Sequence, residues 1–194
     1  MTGPEIATAT ALPSVRVLSP VRHCDARGFF SEVWRDDALA REGISCRFVQ
    51  ENHARSAASG TVRGLHFQIG RAAQAKLVRC PRGSIFDVAV DIRRGSPTFG
   101  RHFATVLSEE NWKQVYVPVG FAHGYCTLEL DTEVIYKVSA YYDPKAERGL
   151  AWDDSELAIA WPVAAQAAVL MQRDREWPRL RELGDLFSYA EWPD

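Results

Sequence analysis

From Ser14 to Tyr142 the chain alternates apolar and polar positions over short runs, each closed by turn-forming residues. Ser14 to Leu18 predicts a first strand. The turn Asp25-Ala26-Arg27-Gly28 follows, then a strand-like run from Phe29-Phe30 to Trp34. Asp36 to Glu42 reads as a short helix, opened by Asp36 and closed by Gly43. Alternation resumes in Arg47 to His53, and Ser56 to Gly60 is a polar loop. Further strands are predicted over Gln74 to Arg82, Ser84 to Asp91, Phe99 to Leu107, Val115 to Val117, Tyr125 to Leu128 and Glu133 to Tyr142. Ser108 to Asn111 reads as one helical turn with a serine cap. Strands spaced roughly every ten residues imply a β-sandwich or barrel. Helical periodicity returns only after Pro162, in Ala164 to Gln172 and Arg179 to Leu186. No repeat or linker interrupts residues 1–194, so one domain is expected, with a β body over about 14–162 and a mostly helical tail over about 163–194.

The segment Gly60 to Gln68 concentrates the candidate chemistry. Strict alternation puts Val62, Gly64, His66 and Gln68 on one face, and Thr61, Arg63, Leu65 and Phe67 on the other. Arg63 and His66 then point apart, unless Gly64 marks a bulge or a close backbone approach that re-aims one of them. A histidine fixed on a strand is a candidate general base, because imidazole changes charge near neutral pH.

Composition narrows the partners. The 194 residues carry 46% hydrophobic and 25% charged side chains, an ordinary globular balance. A net charge of −2 gives no reason to expect nucleic acid or an anionic membrane as partner. No apolar run approaches the ~18 residues of a membrane span. Met1 to Val15 lacks the basic start and long apolar core of a secretory signal. Cys24, Cys46, Cys80 and Cys126 form no CxxC pair, which predicts reduced thiols and a cytoplasmic protein.

Pro118-Val119-Gly120-Phe121-Ala122-His123 has the spacing P-x-G-x-x-H and resembles the second motif of the cupin jelly roll. Metal-binding cupins carry H-x-H and a following Glu in their first motif. This chain has His66-Phe67-Gln68 there, with neither a second His nor that Glu. Two imidazoles make a poor metal site, so no metal is expected.

The order of several phrases is more specific. These are Asp25 to Phe30, Phe48 to His53, Arg63 to Gln68, Gln74 to Arg79, Phe86 to Arg93, Ser96 to Gly100, Pro118 to Gly124, Tyr136-Lys137 and Trp152 to Asp154. Over about residues 14–185 the chain resembles the dTDP-4-dehydrorhamnose 3,5-epimerase family. The resemblance implies a metal-free cupin jelly roll with no organic cofactor. The implied partner is a dTDP-4-keto-6-deoxy sugar inverted at both carbons beside its ketone. It also implies a homodimer whose N-terminal strands add to the partner's sheet, so that Arg27 and Phe29 complete the other subunit's site. His66 matches the family's base, Asp174 the carboxylate that orients it, Tyr136 the acid and Lys76 the cation near the ketone oxygen. Arg27, Glu32, Gln50, Asn52, Arg63, His123 and Glu147 match substrate-contacting positions, with Phe29 and Tyr141 flanking the thymine. Where the family has Ser-x-Lys-Asp, this chain has Met171-Gln172-Arg173-Asp174, with Arg173 keeping the positive charge among the substrate contacts. Three other readings share these residues. They are a single-carbon epimerase, a non-catalytic sugar-nucleotide binding module, and a metal-dependent cupin enzyme.

Overall fold

The computed structural model describes residues 5–7 and 10–193. The remainder of the Met1 to Val15 stretch, residues 1–4 and 8–9, lies outside them. Numbered along the chain, the first strands are β1 (Glu5–Ala7), β2 (Arg16–Ser19), β3 (His23–Asp25), β4 (Gly28–Phe30), β5 (Gln50–Ser56) and β6 (Val62–Gln68). Then come β7 (Lys76–Arg82), β8 (Ser84–Asp91), β9 (His102–Ser108), β10 (Gln114–Val117), β11 (Phe121–Thr127), β12 (Thr132–Val138) and β13 (Glu147–Gly149). A single short helix, α1 (Asp36–Arg41), precedes β5 among the described residues.

The strands form a six-stranded sheet in the order β1-β2-β10-β7-β12-β5 and a five-stranded sheet in the order β13-β6-β11-β8-β9. Strands consecutive in sequence, such as β5 and β6 or β11 and β12, belong to opposite sheets. All strand pairs are antiparallel. This repeated crossing makes the cupin-type jelly roll expected from the sequence. The turn at Asp25 to Gly28 joins β3 and β4 into a separate hairpin, with Arg27 N–H donating to Asp25 Oδ1 at 2.8 Å. β1 pairs with β2 of the same chain.

Three apolar layers hold the sandwich together. Val78, Val115, Val117 and Val134 of the larger sheet meet Ile85, Ala89, Leu107 and Phe121 of the smaller one. Leu39 of α1 and Ile44 cover Leu18 and Leu77 on the outer face of the larger sheet. Leu157, Leu180, Leu183 and Phe187 from the tail cover Leu65, Phe67, Val88 and Val90 on the outer face of the smaller one. β8 and β11 are therefore enclosed on both faces and buried along nearly their whole length.

The tail is not helical as the sequence pattern predicts. Its described residues carry only two single-turn 3-10 segments, Gln172–Arg175 and Leu180–Glu182. Val169 N–H donates to the Gly60 carbonyl at 3.0 Å, and Val62 N–H donates to the Val169 carbonyl at 2.9 Å. Sheet-edge pairing thus takes the backbone groups that a helix over Ala164 to Gln172 would use. The single helical turn predicted at Ser108 forms, with Trp112 N–H donating to the Ser108 carbonyl at 3.0 Å and Asn111 N–H donating to the capping Ser108 Oγ at 3.0 Å.

One close approach sets the phase of β6. On β11, His123 pairs with His66 and Tyr125 with Arg63, so β6 carries one extra residue between those pairs. Gly64 lies in the bulge with φ +150°, and a Cβ there would sit 2.5 Å from Gly124 Cα. Gly64→Ala is expected to destabilise the fold by about 3 kcal/mol or more, combining backbone strain with an unrelieved backbone clash. Thermal unfolding of the variant against wild type measures this.

Candidate active site

The extra residue in β6 turns Arg63 to the same side as His66, the re-aiming that the glycine allowed. Both line a cavity of about 610 Å³ between the two sheets. The smaller sheet supplies Arg63, His66, His123, Tyr125 and Glu147. The larger sheet supplies Gln50, Asn52, Lys76 and Tyr136 from the opposite wall. Arg173 and Asp174 close one side from the tail.

Asp174 is 3% exposed, and its Oδ1 lies 2.7 Å from His66 Nε2. Trp177 Nε1 donates to the same oxygen at 3.3 Å. Burial pushes the Asp174 pKa up, but the His66 and Trp177 hydrogen bonds and the His66 and Arg173 charges outweigh it. The carboxyl is held below its ordinary value and is ionised at neutral pH. An ionised Asp174 must accept from His66 Nε2–H, so in the neutral imidazole Nδ1 is the nitrogen with the lone pair. Arg173 donates to Glu147 at 2.8 Å, and Tyr142 OH donates to the same carboxylate oxygen at 2.8 Å.

On the facing wall, Lys76 is 8% exposed and donates to the His66 carbonyl at 3.2 Å. Burial lowers its pKa to about 8, against the opposing pull of Asp87 and Glu147. Tyr136 lies opposite Asn52 in the β12–β5 register. Burial raises its phenol pKa, although the Asn52 hydrogen bond and the Arg63 charge pull the other way, so Tyr136 holds its proton. Gln50 Nε2 donates to Asn52 Oδ1 at 2.8 Å. A second buried pair lies beside the first, where His123 Nε2 meets Asp87 Oδ2 at 2.8 Å. Arg63 Nε donates to Ser56 Oγ at 3.2 Å and reaches across from one sheet to the other.

The sequence-selected residues that gather here are His66, Tyr136, Asp174, Lys76, Gln50, Asn52, Arg63, His123, Glu147 and Arg173. Four others do not line the cavity. Tyr141 is 71% exposed and borders a separate shallow depression, while its neighbour Tyr142 lines the cavity. Both lie beyond the end of β12, in a segment outside the strands where alternation gives no direction. Arg27 pairs with Asp25, Phe29 packs on Trp112 at 5.0 Å between ring centroids, and Glu32 pairs with Arg35. Sequence reasoning missed Asp87, Tyr125, Tyr142 and Trp177. Asp87 carried a usable signal, being a carboxylate inside an otherwise apolar strand. Among the described residues, no three His, Cys, Asp or Glu side chains converge as metal ligands.

The buried ammonium of Lys76 costs stability. Its folded pKa lies below its unfolded value, so the folded state binds fewer protons between about pH 8 and 10.5. The cost is full below that window and disappears as pH rises through it. Lys76→Met is therefore expected to stabilise the fold by on the order of 2 kcal/mol at pH 7. Denaturant unfolding across pH should show that gain shrinking toward pH 10.5.

The sequence model described as dTDP-4-dehydrorhamnose 3,5-epimerase matches residues 9–182. A relative of that name from Sinorhizobium fredii is 46% identical over 181 residues, covering 93% of this chain and 92% of its own. The crystal structure of a dTDP-4-dehydrorhamnose 3,5-epimerase from Bacillus anthracis, with TDP and PPi bound, is 42% identical. Its TM-score is 0.88, with 91% of this chain and 99% of that one covered. A dTDP-6-deoxy-D-glucose-3,5-epimerase from Legionella pneumophila, in complex with dTDP-4-keto-L-rhamnose, has a TM-score of 0.91 at 38% identity. It covers 96% of this chain and 98% of its own. With that agreement over nearly its whole length, and the same fold, the chain belongs to the dTDP-4-dehydrorhamnose 3,5-epimerase family.

Proposed function

We propose that this protein is an isomerase converting dTDP-4-dehydro-6-deoxyglucose to dTDP-4-dehydro-L-rhamnose by inverting C3 and C5. The observation that carries the reading is the pairing of opposed proton-handling groups across one cavity. His66, held by Asp174, stands on one sheet, and the protonated phenol of Tyr136 stands on the other. Inversion beside a ketone needs this arrangement. A base takes the proton from one face, and an acid returns one to the opposite face. His66 Nδ1 accepts the proton, and the nearby Asp174 charge stabilises the imidazolium that forms. The Lys76 ammonium stabilises the developing enolate oxygen from within a buried wall. Tyr136 then protonates the carbon from the far side. The reaction is redox-neutral, and release of the His66 proton to solvent with uptake of one by Tyr136 restores both groups for the second carbon.

Arg63 and Arg173 suit the pyrophosphate, because guanidinium groups bind phosphate oxygens in a bidentate manner. Gln50, Asn52, His123 and Glu147 supply polar contacts along the same cavity. Tyr142, which lines the cavity where Tyr141 does not, is the aromatic proposed to stack on the thymine. The active form is proposed to be a homodimer in which the β3–β4 hairpin brings Arg27, Phe29 and Glu32 to the partner's cavity. Phe29 and Phe30 are 53% and 69% exposed in the single chain, which supports a contact beyond it. The four cysteines are free and no described helix could cross a membrane, so a cytoplasmic setting is the one proposed.

Incubation with dTDP-4-keto-6-deoxyglucose in D₂O is expected to place deuterium at both C3 and C5, read by NMR. Deuterium at C3 alone would reassign the protein to single-carbon epimerisation. Absence of exchange despite tight dTDP binding would leave a binding module. His66→Asn is expected to lower kcat by ~10²–10⁴ while dTDP affinity holds.

The dimer predicts complementation. Mixing and refolding Arg27→Ala with His66→Asn subunits should restore roughly a quarter of wild-type activity, since half the dimers would carry one intact site. Failure of the mixture to exceed its parents would refute the shared site.

A further inference from the structure

The indole of Trp177 belongs to the base's support. Three observations meet on it. Its Nε1 donates to Asp174 Oδ1 at 3.3 Å, the oxygen that also takes the His66 bond. Its ring stands edge-on to the His66 imidazole, with centroids 6.2 Å apart and planes at 72°. The ring is seated on Gly149, where a Cβ would come within 2.4 Å of its carbons. Gly149 is the β13 partner of His66, so the missing side chain admits the indole directly beside the base. We propose that Trp177 is a positioning residue, which fixes the Asp174 carboxylate and the His66 ring in the one relative orientation that leaves Nδ1 aimed into the cavity.

The physical case rests on the geometry of a shared acceptor. A carboxylate with a single imidazole partner can rotate about its Cβ–Cγ bond and still keep that bond. A second donor at a fixed angle removes that freedom. The indole edge also limits the tilt of the imidazole. The same donor draws charge from Oδ1 and so weakens the hold of Asp174 on an imidazolium. Other charges act on the pair as well. Arg173 is 3.8 Å from Asp174 and is itself tied to Glu147. His123, paired with Asp87, lies opposite His66 on β11, and Lys76 Nζ is bonded to the His66 carbonyl.

This inference rests on the epimerase reading, and its test separates the two. Trp177→Phe keeps most of the ring but removes the donor. Gly149→Ala keeps the donor but displaces the ring. Both variants should lower kcat roughly tenfold with KM within about twofold. In Trp177→Phe, which loses the donor, the acid limb of kcat/KM and the His66 titration, read from its Cε1–H resonance, should both move to higher pH. An independent readout uses the wild-type protein alone, where the Trp177 indole N–H signal should shift with the His66 titration. Unchanged kinetics and an unchanged His66 titration in Trp177→Phe would overturn the proposal. So would an indole signal blind to that titration, which decides the matter even if both variants fail to fold. A linked indole signal in a protein without epimerase activity would uphold the contact and sink the epimerase reading instead.

Discussion

The backbone contact between Gly64 and Gly124 is the constraint on which the rest of the cavity depends. Two adjacent strands approach so closely that neither position admits a Cβ, and one strand takes an extra residue to do it. A strand without that bulge would send Arg63 and His66 to opposite faces. One of them would then lie in the apolar layer under the tail, among Leu65 and Phe67. The bulge places both in the cavity while leaving Leu65 and Phe67 to anchor the outer layer. A local departure from regular pairing thus gives one strand two duties, one facing the chemistry and the other the core.

The tail completes what β6 begins. Asp174 lies 108 residues from His66 in sequence and reaches it because the tail packs across the outer face of the smaller sheet. The far end of that packing is secured by charge. Arg93 is almost fully buried between the Phe121 and Tyr189 rings, paired with Asp91 at 2.8 Å and bonded to the Trp192 carbonyl at 2.8 Å. Asp91 also accepts from Ser96 and Thr98, so the buried pair is well satisfied. Apolar burial supplies the adhesion, while this network holds the chain end in register. The hydrogen bonds of Val169 with Gly60 and Val62 lock the middle of the tail to the start of β6.

The cavity itself opposes folding. Lys76, Asp87, His123 and Asp174 are all buried, and each would be costly without its partner. The structure meets this cost in pairs, His66 with Asp174 and His123 with Asp87, while Lys76 relies on a backbone carbonyl and nearby carboxylates. Lys76 is the least compensated, and its lowered pKa reflects that. The apolar layers above and below the sheets offset the polar centre.

How far the sequence carried differs by feature. Alternating runs and turns determined the β-sandwich, because period-two patterning and glycine or proline punctuation act locally. The same local rules picked out His66 as a strand residue with chemistry, while the order of phrases pointed to the family, and the family resemblance to Lys76 and Tyr136. The helical tail was misread, because apolar spacing is shared by a helix and by a chain that lies irregularly across a sheet. Alternation also put Arg63 and His66 apart, since a bulge shifts phase without altering composition, and the family resemblance named Tyr141 where the cavity is lined by Tyr142. The structure alone brought Asp87 to His123 and Trp177 to Asp174. Those contacts join residues distant in sequence, and only the packing of sheet on sheet and tail on sheet decides which of them meet.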